Sequence, residues 1–388
     1  MLDNTLKSSD CGRAWVEIDL GALAHNVAEL RSRLPCGCEL MAVVKADAYG
    51  HGAMQVAAQL QLEGVESFAV ATVGEGVSLR EGGLAGDILV LGYTHPDDAA
   101  LLSAYRLTQL VVDGAHAKAL DAADHKIGVH IAVDTGMHRL GMSDLDEIEG
   151  VYALGNLLVG GVATHFASSD SLEEGDLEFT NTQMERFQST LDALKCRGRE
   201  VGKVHTQASY GIYNFPDMQC DYARAGIALY GVMSHSGDTK IKPALRPVMS
   251  LRALIAQVRW IGAGESVSYN RTFTASEPRK IATVCIGYAD GVPRQMSGNG
   301  GLCIVHGRKV PIIGLVCMDM LVIDVTGDDA VAAGDIVTLI GKDGGEEIRC
   351  EDAAAASGTI TNDILCRLGG RLPRVVIEQS LTKSDCQS

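Results

Sequence analysis

The chain has 388 residues, of which 46% are hydrophobic and 21% are charged, and its formal net charge is −16. This composition is typical of a globular protein with a sizeable core, and it argues against disorder. The negative charge disfavours binding to nucleic acid or to anionic lipid, although it allows a locally positive pocket for one small anion.

The amino-terminal sequence and the spacing of the cysteines indicate where in the cell the protein is expected. The amino terminus, MLDNTLKSSDCGR, lacks the apolar core of a signal peptide, and no apolar run reaches the roughly 18 residues of a membrane span. The 11 cysteines are scattered without a C-x-x-C pair, so we predict neither a disulfide framework nor a metal site. We expect a cytoplasmic protein, either free or as the soluble cytoplasmic part of a larger membrane protein.

The first part of the chain alternates between strand-like and helix-like stretches. Val16, Ile18 and Leu20 alternate with acidic residues, which predicts a half-exposed strand, and the later runs SFAVATV and DILVLGY are typical of buried strands. Seven or eight such units predict parallel strands joined by right-handed crossovers. A (β/α)8 barrel is the favoured fold, and an open doubly wound sheet is the alternative.

The pattern changes after LRPVMS (245–250), where the helical stretches largely stop. Short β-rich runs such as RKIATVCIGYADG and GLCIVHGRKVPIIG follow, separated by glycines. We therefore divide the chain into an α/β barrel over residues 14–246 and a mostly-β domain over residues 247–388. Residues 1–13 are assigned to this second domain.

The strongest chemical signal is MAVVKADAYGHG (41–52), in which Lys45 closes an apolar strand and precedes a turn-rich segment. In a barrel of this kind, function collects where the strands end. Partial burial lowers the pKa of a lysine and makes its amine available as a nucleophile that forms a Schiff base. The alternative is an ordinary surface lysine at a strand end.

Other polar residues follow predicted strands in the same way. Each has an ordinary alternative, since a glycine can simply form a turn, an arginine can lie on the surface and a strand histidine can be a satisfied core residue. An arginine suits a carboxylate or a ring nitrogen, and a glycine permits close approach of the backbone to an anion. The candidates are Arg139 in VDTGMHRLG, His165 in THFA, His205 and Ser209 in VHTQAS, and Arg224 and Gly226 in ARAGIALYG.

The predicted β domain adds three further candidates, Tyr269 in SYN, Tyr288 in IGYADG and Asp319 in VCMDM. A tyrosine is a poor base unless a nearby cation lowers its pKa. Each tyrosine could equally be an ordinary residue of a β domain.

Taken together, these motifs resemble the alanine racemase family of pyridoxal-phosphate enzymes, which combine a barrel with a C-terminal β domain. The similarity runs in order from WVEIDL at residue 15 to RLPRV near residue 371, and VVKADAYGHG is its most specific string. The resemblance implies a racemase of alanine, serine or both that supplies D-amino acids for cell-wall precursors. It also implies a homodimer with shared active sites.

The resemblance assigns a role to each matching position. Lys45 would bind the cofactor covalently and act as one catalytic base, and Tyr269 from the partner subunit would be the other. The remaining cofactor-binding residues would be Tyr49, Ser209, Gly226 and Ile227 at the phosphate, Arg224 at the pyridine nitrogen, and His165 linking Tyr269 to Arg224. Arg139 and the Met318 backbone would hold the substrate carboxylate, while Tyr288 and Asp319 would line the entrance and His205 would support the site.

The chain departs from the family pattern at three positions. Ala132 stands where the family commonly has a lysine that braces the arginine, so Arg139 needs another partner, such as chloride. Ala208 replaces an asparagine before the phosphate-binding serine. Asn362, in TITND, replaces the tyrosine that crowds the substrate methyl group, and its amide can pair with a hydroxyl. This third change resembles the serine racemase variants of membrane-anchored vancomycin-resistance proteins.

Two other functions remain open at this point. A decarboxylase of basic amino acids shares the two-domain fold, but its partner-subunit cysteine and acidic motifs are not recognisable here. A non-catalytic pyridoxal-phosphate carrier would resemble the barrel alone, and a β domain that carries Tyr269 argues against it.

Overall fold

The computed structural model describes residues 12–377, so the predicted assignments of residues 1–11 and 378–388 to the β domain lie outside the described residues. The strands in chain order are β1 (Ala14–Asp19), β2 (Glu39–Val43), β3 (Ser67–Val70), β4 (Asp87–Val90), β5 (Thr108–Val111), β6 (Ile127–Ala132), β7 (Leu157–Ala163), β8 (Lys203–Ala208), β9 (Tyr222–Ala225), β10 (Met249–Ile261), β11 (Ser266–Val267), β12 (Phe273–Thr274), β13 (Arg279–Val284), β14 (Leu302–Val305), β15 (Arg308–Ile313), β16 (Leu321–Asp324), β17 (Ile336–Asp343), β18 (Glu346–Ile348) and β19 (Arg374–Ile377).

The helices in chain order are α1 (Leu20–Arg33), α2 (Lys45–Gly50), α3 (Ala53–Leu62), α4 (Val73–Glu81), α5 (Ala99–Ala104), α6 (Gly114–Ala122), α7 (Leu145–Val151), α8 (Glu174–Cys196), α9 (Ser209–Asn214), α10 (Cys350–Ser357) and α11 (Thr361–Arg367). Within residues 12–377, no helix combines the length and the apolar character needed to cross a membrane.

Strands β2 to β9 close into an eight-stranded parallel barrel, which confirms the favoured fold. At least one helix separates every two consecutive strands, as parallel pairing requires. The seam closes where β2 pairs with β9, with Met41 opposite Arg224. The residues that begin and end the barrel sequence are therefore neighbours in space.

Local sequence explains where several barrel helices begin. Asp113 and Asp144 accept hydrogen bonds from backbone amides in the first turns of α6 and α7. Thr72 and Glu75 form a reciprocal capping box at the start of α4. Each of these caps follows a barrel strand, so the strand ends and the helix starts are held together at one face of the barrel.

The second unit is a nine-stranded sheet in the order β18-β17-β14-β15-β16-β13-β10-β1-β19. The 13-residue strand β10 organises this sheet, because it pairs with β1, β13 and β17 through two irregularities in register. Alternate residues in the first half of β10 are buried, and the second half is more exposed.

Strand β1 corrects two predictions. It pairs with β10 and β19, so residues 14–19 belong to the C-terminal sheet, whereas the sequence-based division placed them in the barrel. All six residues of β1 are buried, which contradicts the predicted half-exposed strand. Glu17 is tolerated there because its carboxylate pairs with Arg252 at 3.0 Å and accepts a hydrogen bond from Trp15 Nε1 at 3.1 Å.

Candidate active site

A cavity of about 640 Å³ opens at the carboxyl ends of the barrel strands. Residues at or just beyond the ends of all eight barrel strands line it. On one side the C-terminal unit contributes Asn362 of α11 and Ile360, which immediately precedes that helix. Nine residues with predicted roles line this cavity, namely Lys45, Tyr49, Arg139, His165, His205, Ser209, Arg224, Gly226 and Ile227. Asn362, the tenth, reaches it from the second unit.

Lys45 lies two residues beyond the end of β2, half-buried at the wall of the cavity. Burial lowers the pKa of its amine, and the charge of Arg139 lowers it further, while Glu75 acts in the opposite direction. A lowered pKa increases the fraction of neutral amine, which is the nucleophilic form. The side chain is therefore suited to attack a carbonyl group.

The segment that follows Lys45 has an unusual backbone. In the segment labelled α2, Ala46, Asp47, Ala48 and Tyr49 all have φ values of 52–53°, so this segment is a left-handed turn and not a regular α-helix. Such a conformation costs about 1–2 kcal/mol for each residue with a Cβ, so it needs compensation. Glu75 supplies part of it, because its carboxylate accepts hydrogen bonds from the amide of Ala46 at 2.7 Å and from two amides after β3.

Tyr49, Gly226 and Ser209 form a close group below the turn. A Cβ atom on residue 226 would lie 2.6 Å from Tyr49 Oη, so only glycine leaves room for this hydroxyl. Ser209 Oγ accepts hydrogen bonds from the amides of Gly226 at 3.0 Å and Ala228 at 3.2 Å. Two accepted bonds leave the serine O–H as a donor, and together with the tyrosine hydroxyl it can hold an anion such as a phosphate.

Arg224 is buried on β9 and donates to four acceptors. Nη1 lies 2.8 Å from His205 Nδ1, and Nη2 reaches His165 Nδ1 at 3.1 Å and the carbonyls of Thr164 and Thr206. Burial lowers the pKa of the guanidinium to about 10, which leaves it charged at neutral pH. No carboxylate lies among these partners, so Arg224 remains a positive centre at the cavity wall.

The histidines around Arg224 are neutral. Burial lowers the pKa of His165 to about 3, and the charges of Arg224, Arg139 and Lys45 add to the effect. Burial and Arg224 also hold the pKa of His205 well below 6.5 and that of His130 at about 4. His205 Nε2 lies 2.8 Å from His130 Nδ1. In this row of hydrogen bonds Arg224 donates to His205, and His205 in turn donates to His130.

Arg139 lies in the loop after β6 and has an exposed side chain that borders the cavity. Gln183 and Arg186 of α8 hold the start of this loop, because they donate to Thr135 Oγ1 and to the Thr135 carbonyl. Ala132 lies at the cavity wall, at the end of β6, and offers Arg139 no polar partner. The guanidinium is therefore available to a carboxylate or another anion.

Asn362 enters the cavity from α11, and its Oδ1 is buried without a hydrogen-bond partner among the described residues. A buried amide oxygen left unpaired is costly, so a ligand that donates a hydrogen bond there would be favoured. A hydroxyl group is such a donor. Asn362 thus has the chemistry to distinguish a hydroxymethyl side chain from a methyl.

Four predicted site residues lie apart from the cavity, on the surface of the β unit. Tyr269 is 67% exposed, Met318 is 53% exposed and Tyr288 is 43% exposed. Contacts to Cys317 join their segments, since the Tyr288 amide donates to its carbonyl and Ser268 Oγ lies 3.4 Å from its sulfur. Asp319 pairs with Arg371 at 2.7 Å. This exposed cluster, Tyr269, Tyr288, Met318 and Asp319, does not line the cavity of its own chain.

The cavity residues fit pyridoxal phosphate. Lys45 has the amine for its aldehyde, and the Tyr49–Gly226–Ser209 group has the donors and the close backbone approach for its phosphate. The guanidinium of Arg224 can donate to an unprotonated ring nitrogen but cannot accept a proton from it. The residues present therefore match the three functional groups of this cofactor.

Several residues that shape the site escaped the sequence analysis. Glu75, His130 and Gln183 act through hydrogen bonds across 29 to 75 residues of sequence. His130 could have been noticed, because it is a histidine inside the apolar run IGVHIAVD. Glu75 could have been located as the acidic residue of the T-x-x-E capping box, but that pattern does not predict its bond to Ala46, and no local pattern distinguishes Gln183.

The two units of the chain match the two domains of one known protein family. Residues 18–234 match the family model for the alanine racemase N-terminal domain, and residues 248–376 match that for the C-terminal domain. An amino-acid racemase of Enterococcus faecalis is 43% identical over 94% of this chain and 52% of its own. A serine/alanine racemase of Enterococcus gallinarum is 38% identical over 93% of this chain and 51% of its own. The chain thus spans about half the length of these relatives.

Other relatives match over nearly their whole length. An alanine racemase of Geobacter sulfurreducens is 38% identical over 94% of this chain and 97% of its own. The solved alanine racemase of Clostridium difficile 630 superposes with a TM-score of 0.87 at 32% identity, covering 95% and 96% of the two chains. The alanine racemase of Bartonella henselae, solved with covalently bound pyridoxal phosphate, superposes with a TM-score of 0.81 at 30% identity. This match covers 94% of the present chain and 100% of the other.

Proposed function

This chain belongs to the alanine racemase family, and we propose that it racemises both alanine and serine by a two-base mechanism, supplying D-amino acids for cell-wall precursors. The family is one of pyridoxal-phosphate-dependent isomerases. The observation that carries the proposal is the cavity that joins Lys45, Arg224 and the Tyr49–Gly226–Ser209 group with the unpaired amide of Asn362.

Lys45 would bind the cofactor covalently, and the hydroxyls of Tyr49 and Ser209 would hold its phosphate beside the backbone of Gly226 and Ile227. When bound, pyridoxal phosphate supplies the electron-withdrawing ring that stabilises negative charge on the substrate Cα. Arg224 would donate to the ring nitrogen and keep it unprotonated, since a guanidinium does not give up its proton at neutral pH. His205, held between Arg224 and His130, fixes the orientation of that guanidinium.

Racemisation requires proton exchange on both sides of the substrate Cα. The Lys45 amine would serve one side after release from the cofactor. Tyr269 would serve the other side, and because it is 67% exposed and outside the cavity of its own chain, we assign this role to Tyr269 of the partner subunit. A homodimer that buries the exposed cluster of Tyr269, Tyr288, Met318 and Asp319 would also explain why large apolar groups lie together on this surface.

His165 is the proposed connection between the barrel and this tyrosine. Its Nδ1 accepts a hydrogen bond from Arg224, so the proton of the neutral ring is on Nε2. That Nε2–H can donate to a phenolate oxygen and stabilise it. The nearby charges of Arg224, Arg139 and Lys45 favour the same ionised form of an incoming tyrosine.

The substrate would be oriented by its carboxylate and selected by its side chain. Arg139 would bind the carboxylate together with the backbone of the partner subunit's Met318, and in the absence of substrate it would hold a small anion such as chloride. Asn362 would accept a hydrogen bond from the serine hydroxyl through its unpaired Oδ1. The smaller methyl group of alanine also fits the space, but it leaves Oδ1 without a partner, which favours serine over alanine.

The proposal is tested by racemisation of L-serine and L-alanine by the purified protein, followed by chiral chromatography. Turnover of both, with serine comparable to alanine or better, is expected. Turnover of alanine alone would refute the role of Asn362 but keep the family activity. If neither amino acid were racemised while the cofactor was bound to Lys45, the two-base assignment would be refuted. The match of a C-terminal domain model over residues 248–376 already argues against a barrel-only carrier.

A further inference from the structure

Three aromatic rings lie in a row beneath the left-handed turn. The rings of Tyr49 and Tyr230 have centroids 5.0 Å apart, and Tyr230 stacks on His51 with centroids 4.4 Å apart. His51 and Tyr230 are fully buried, and the Tyr230 hydroxyl donates to the Val43 carbonyl at 2.8 Å. The row thus connects the end of β2 with the hydroxyl that approaches Gly226.

His51 holds the turn itself. Its Nδ1 lies 3.0 Å from the carbonyl of Ala48 and 2.9 Å from that of Tyr49. Carbonyl oxygens only accept, so Nδ1 carries the ring proton and donates to both. Its Nε2 is buried without a partner among the described residues, which is consistent with a ring held neutral by burial, with the pKa lowered to about 4.

The bond that His51 makes is directed at the strained part of the chain. Ala48 and Tyr49 are two of the four residues with positive φ, and their carbonyls are turned toward the histidine by this backbone conformation. Loss of the donor would leave two carbonyls without this partner and would remove compensation for the strain. Since Tyr49 ends the turn, its hydroxyl would then no longer be held at the place where Gly226 leaves room for it.

We propose that His51 is a positioning residue, whose Nδ1–H clamps the left-handed turn and, with Tyr230 behind it, keeps the Tyr49 hydroxyl preformed as an anchor for the cofactor phosphate. The proposal rests on the proposed function, in which Lys45 and Tyr49 bind pyridoxal phosphate. It assigns His51 no contact with substrate or cofactor. It also explains why a histidine stands in the motif that carries Lys45, although that histidine does not line the cavity.

Two substitutions separate the hydrogen bond from the ring. His51→Phe keeps an aromatic ring against Tyr230 and removes the donor, whereas His51→Asn removes the ring and keeps an N–H near the position of Nδ1. Each apo-protein is titrated with pyridoxal phosphate and with pyridoxal, which lacks the phosphate, and the adduct on Lys45 is trapped with borohydride and located by peptide mass. Hydrogen exchange of the peptide spanning residues 45–52 is compared with that of α8.

We expect His51→Phe to weaken the binding of pyridoxal phosphate about tenfold, because one hydrogen bond to a strained segment is lost. The affinity for pyridoxal should change less than about twofold. In the Phe variant, hydrogen exchange should accelerate in residues 45–52 and not in α8. His51→Asn should retain an affinity for pyridoxal phosphate within about threefold of that of the wild type. Equal weakening of both ligands, or an Asn variant as impaired as the Phe variant, would overturn the inference. If the Phe variant does not fold, the Asn variant alone decides, since a clamp predicts near-normal affinity and a ring-packing role does not.

A wild-type protein that forms no adduct on Lys45 would refute the proposed function instead. A wild type that forms the adduct, together with a Phe variant of unchanged phosphate affinity, would refute only the role of His51.

Discussion

Arg224 Nη1 lies 2.8 Å from Nδ1 of His205 in the buried wall of the barrel. A guanidinium has no acceptor, so His205 Nδ1 must be unprotonated. That contact sets the direction of the next hydrogen bond in the row Arg224–His205–His130. His205 donates to His130, and His165 is set in the same way by its own contact with Arg224. Burial, together with the charge of this one arginine, thus keeps three histidines neutral.

The neutral histidines predict a pH dependence of stability. His130 has a folded pKa of about 4 and His165 of about 3, below the unfolded value of about 6.5. Between these values the unfolded chain binds protons that the folded chain does not, so stability is retained above pH 6.5 and lost as the pH falls. For His130 the loss at pH 5 is about 2 kcal/mol. Urea unfolding at pH 7 and pH 5 measures it, and His130→Gln should reduce the difference between the two pH values.

A matched control for this experiment is His95→Gln, which removes a histidine that is 63% exposed. Its unfolding free energy should change with pH as that of the wild type does. If the two variants responded alike, the buried row would not be the source of the pH dependence.

Substitution of Asn362 by tyrosine should change substrate preference. The larger ring would fill the space beside the substrate side chain and remove the unpaired Oδ1, so we expect the serine-to-alanine ratio of kcat/KM to fall about tenfold. Asn362→Leu has similar volume without the amide, and it separates space from hydrogen bonding. A ratio that fell only in the tyrosine variant would mean that room, and not the amide, selects serine, whereas an unchanged ratio in both would contradict the assignment.

Shared active sites predict rescue between two inactive proteins. Lys45→Ala and Tyr269→Phe should each lose more than about a thousandfold in kcat, because each removes one proton-transfer group. After mixing and exchange of subunits, a mixed dimer would contain one intact site and one doubly impaired site. About a quarter of wild-type activity should therefore return with random exchange. Mixed dimers that form without regaining activity would place both groups in one chain.

Gly226→Ala should weaken cofactor binding. The expected defect comes from the added Cβ, which would lie 2.6 Å from Tyr49 Oη. We expect at least a tenfold increase in the dissociation constant of pyridoxal phosphate, measured by titration of the apo-protein. Gly150→Ala, in α7 with no atom within 4 Å of the added Cβ, is the control and should leave the constant unchanged. Equal affinity of both variants would show that Tyr49 moves aside without consequence.

The barrel and the end of it at which chemistry collects could both be predicted from the sequence. Lys45 and Arg224 could be selected because they lie at the carboxyl ends of strands, and a period of two or 3.6 residues is a local property that buried strands and amphipathic helices must display. The motif match then supplied roles for the positions around them. Asn362 could be identified as a departure from that match, although no local pattern placed it at the cavity.

The place of β1 and the support of the strained turn could not be predicted, because both depend on contacts made in the folded chain. Glu17 looked solvent-exposed because alternation cannot distinguish an acidic residue facing water from one paired with Arg252 in a central strand. His51 and Tyr230 are 179 positions apart in sequence, and their stacking depends on closure of the barrel between β2 and β9. The physical reason is that periodicity reports which side of an element is apolar, whereas the partner that a buried polar group finds is set by contacts between elements distant in the chain.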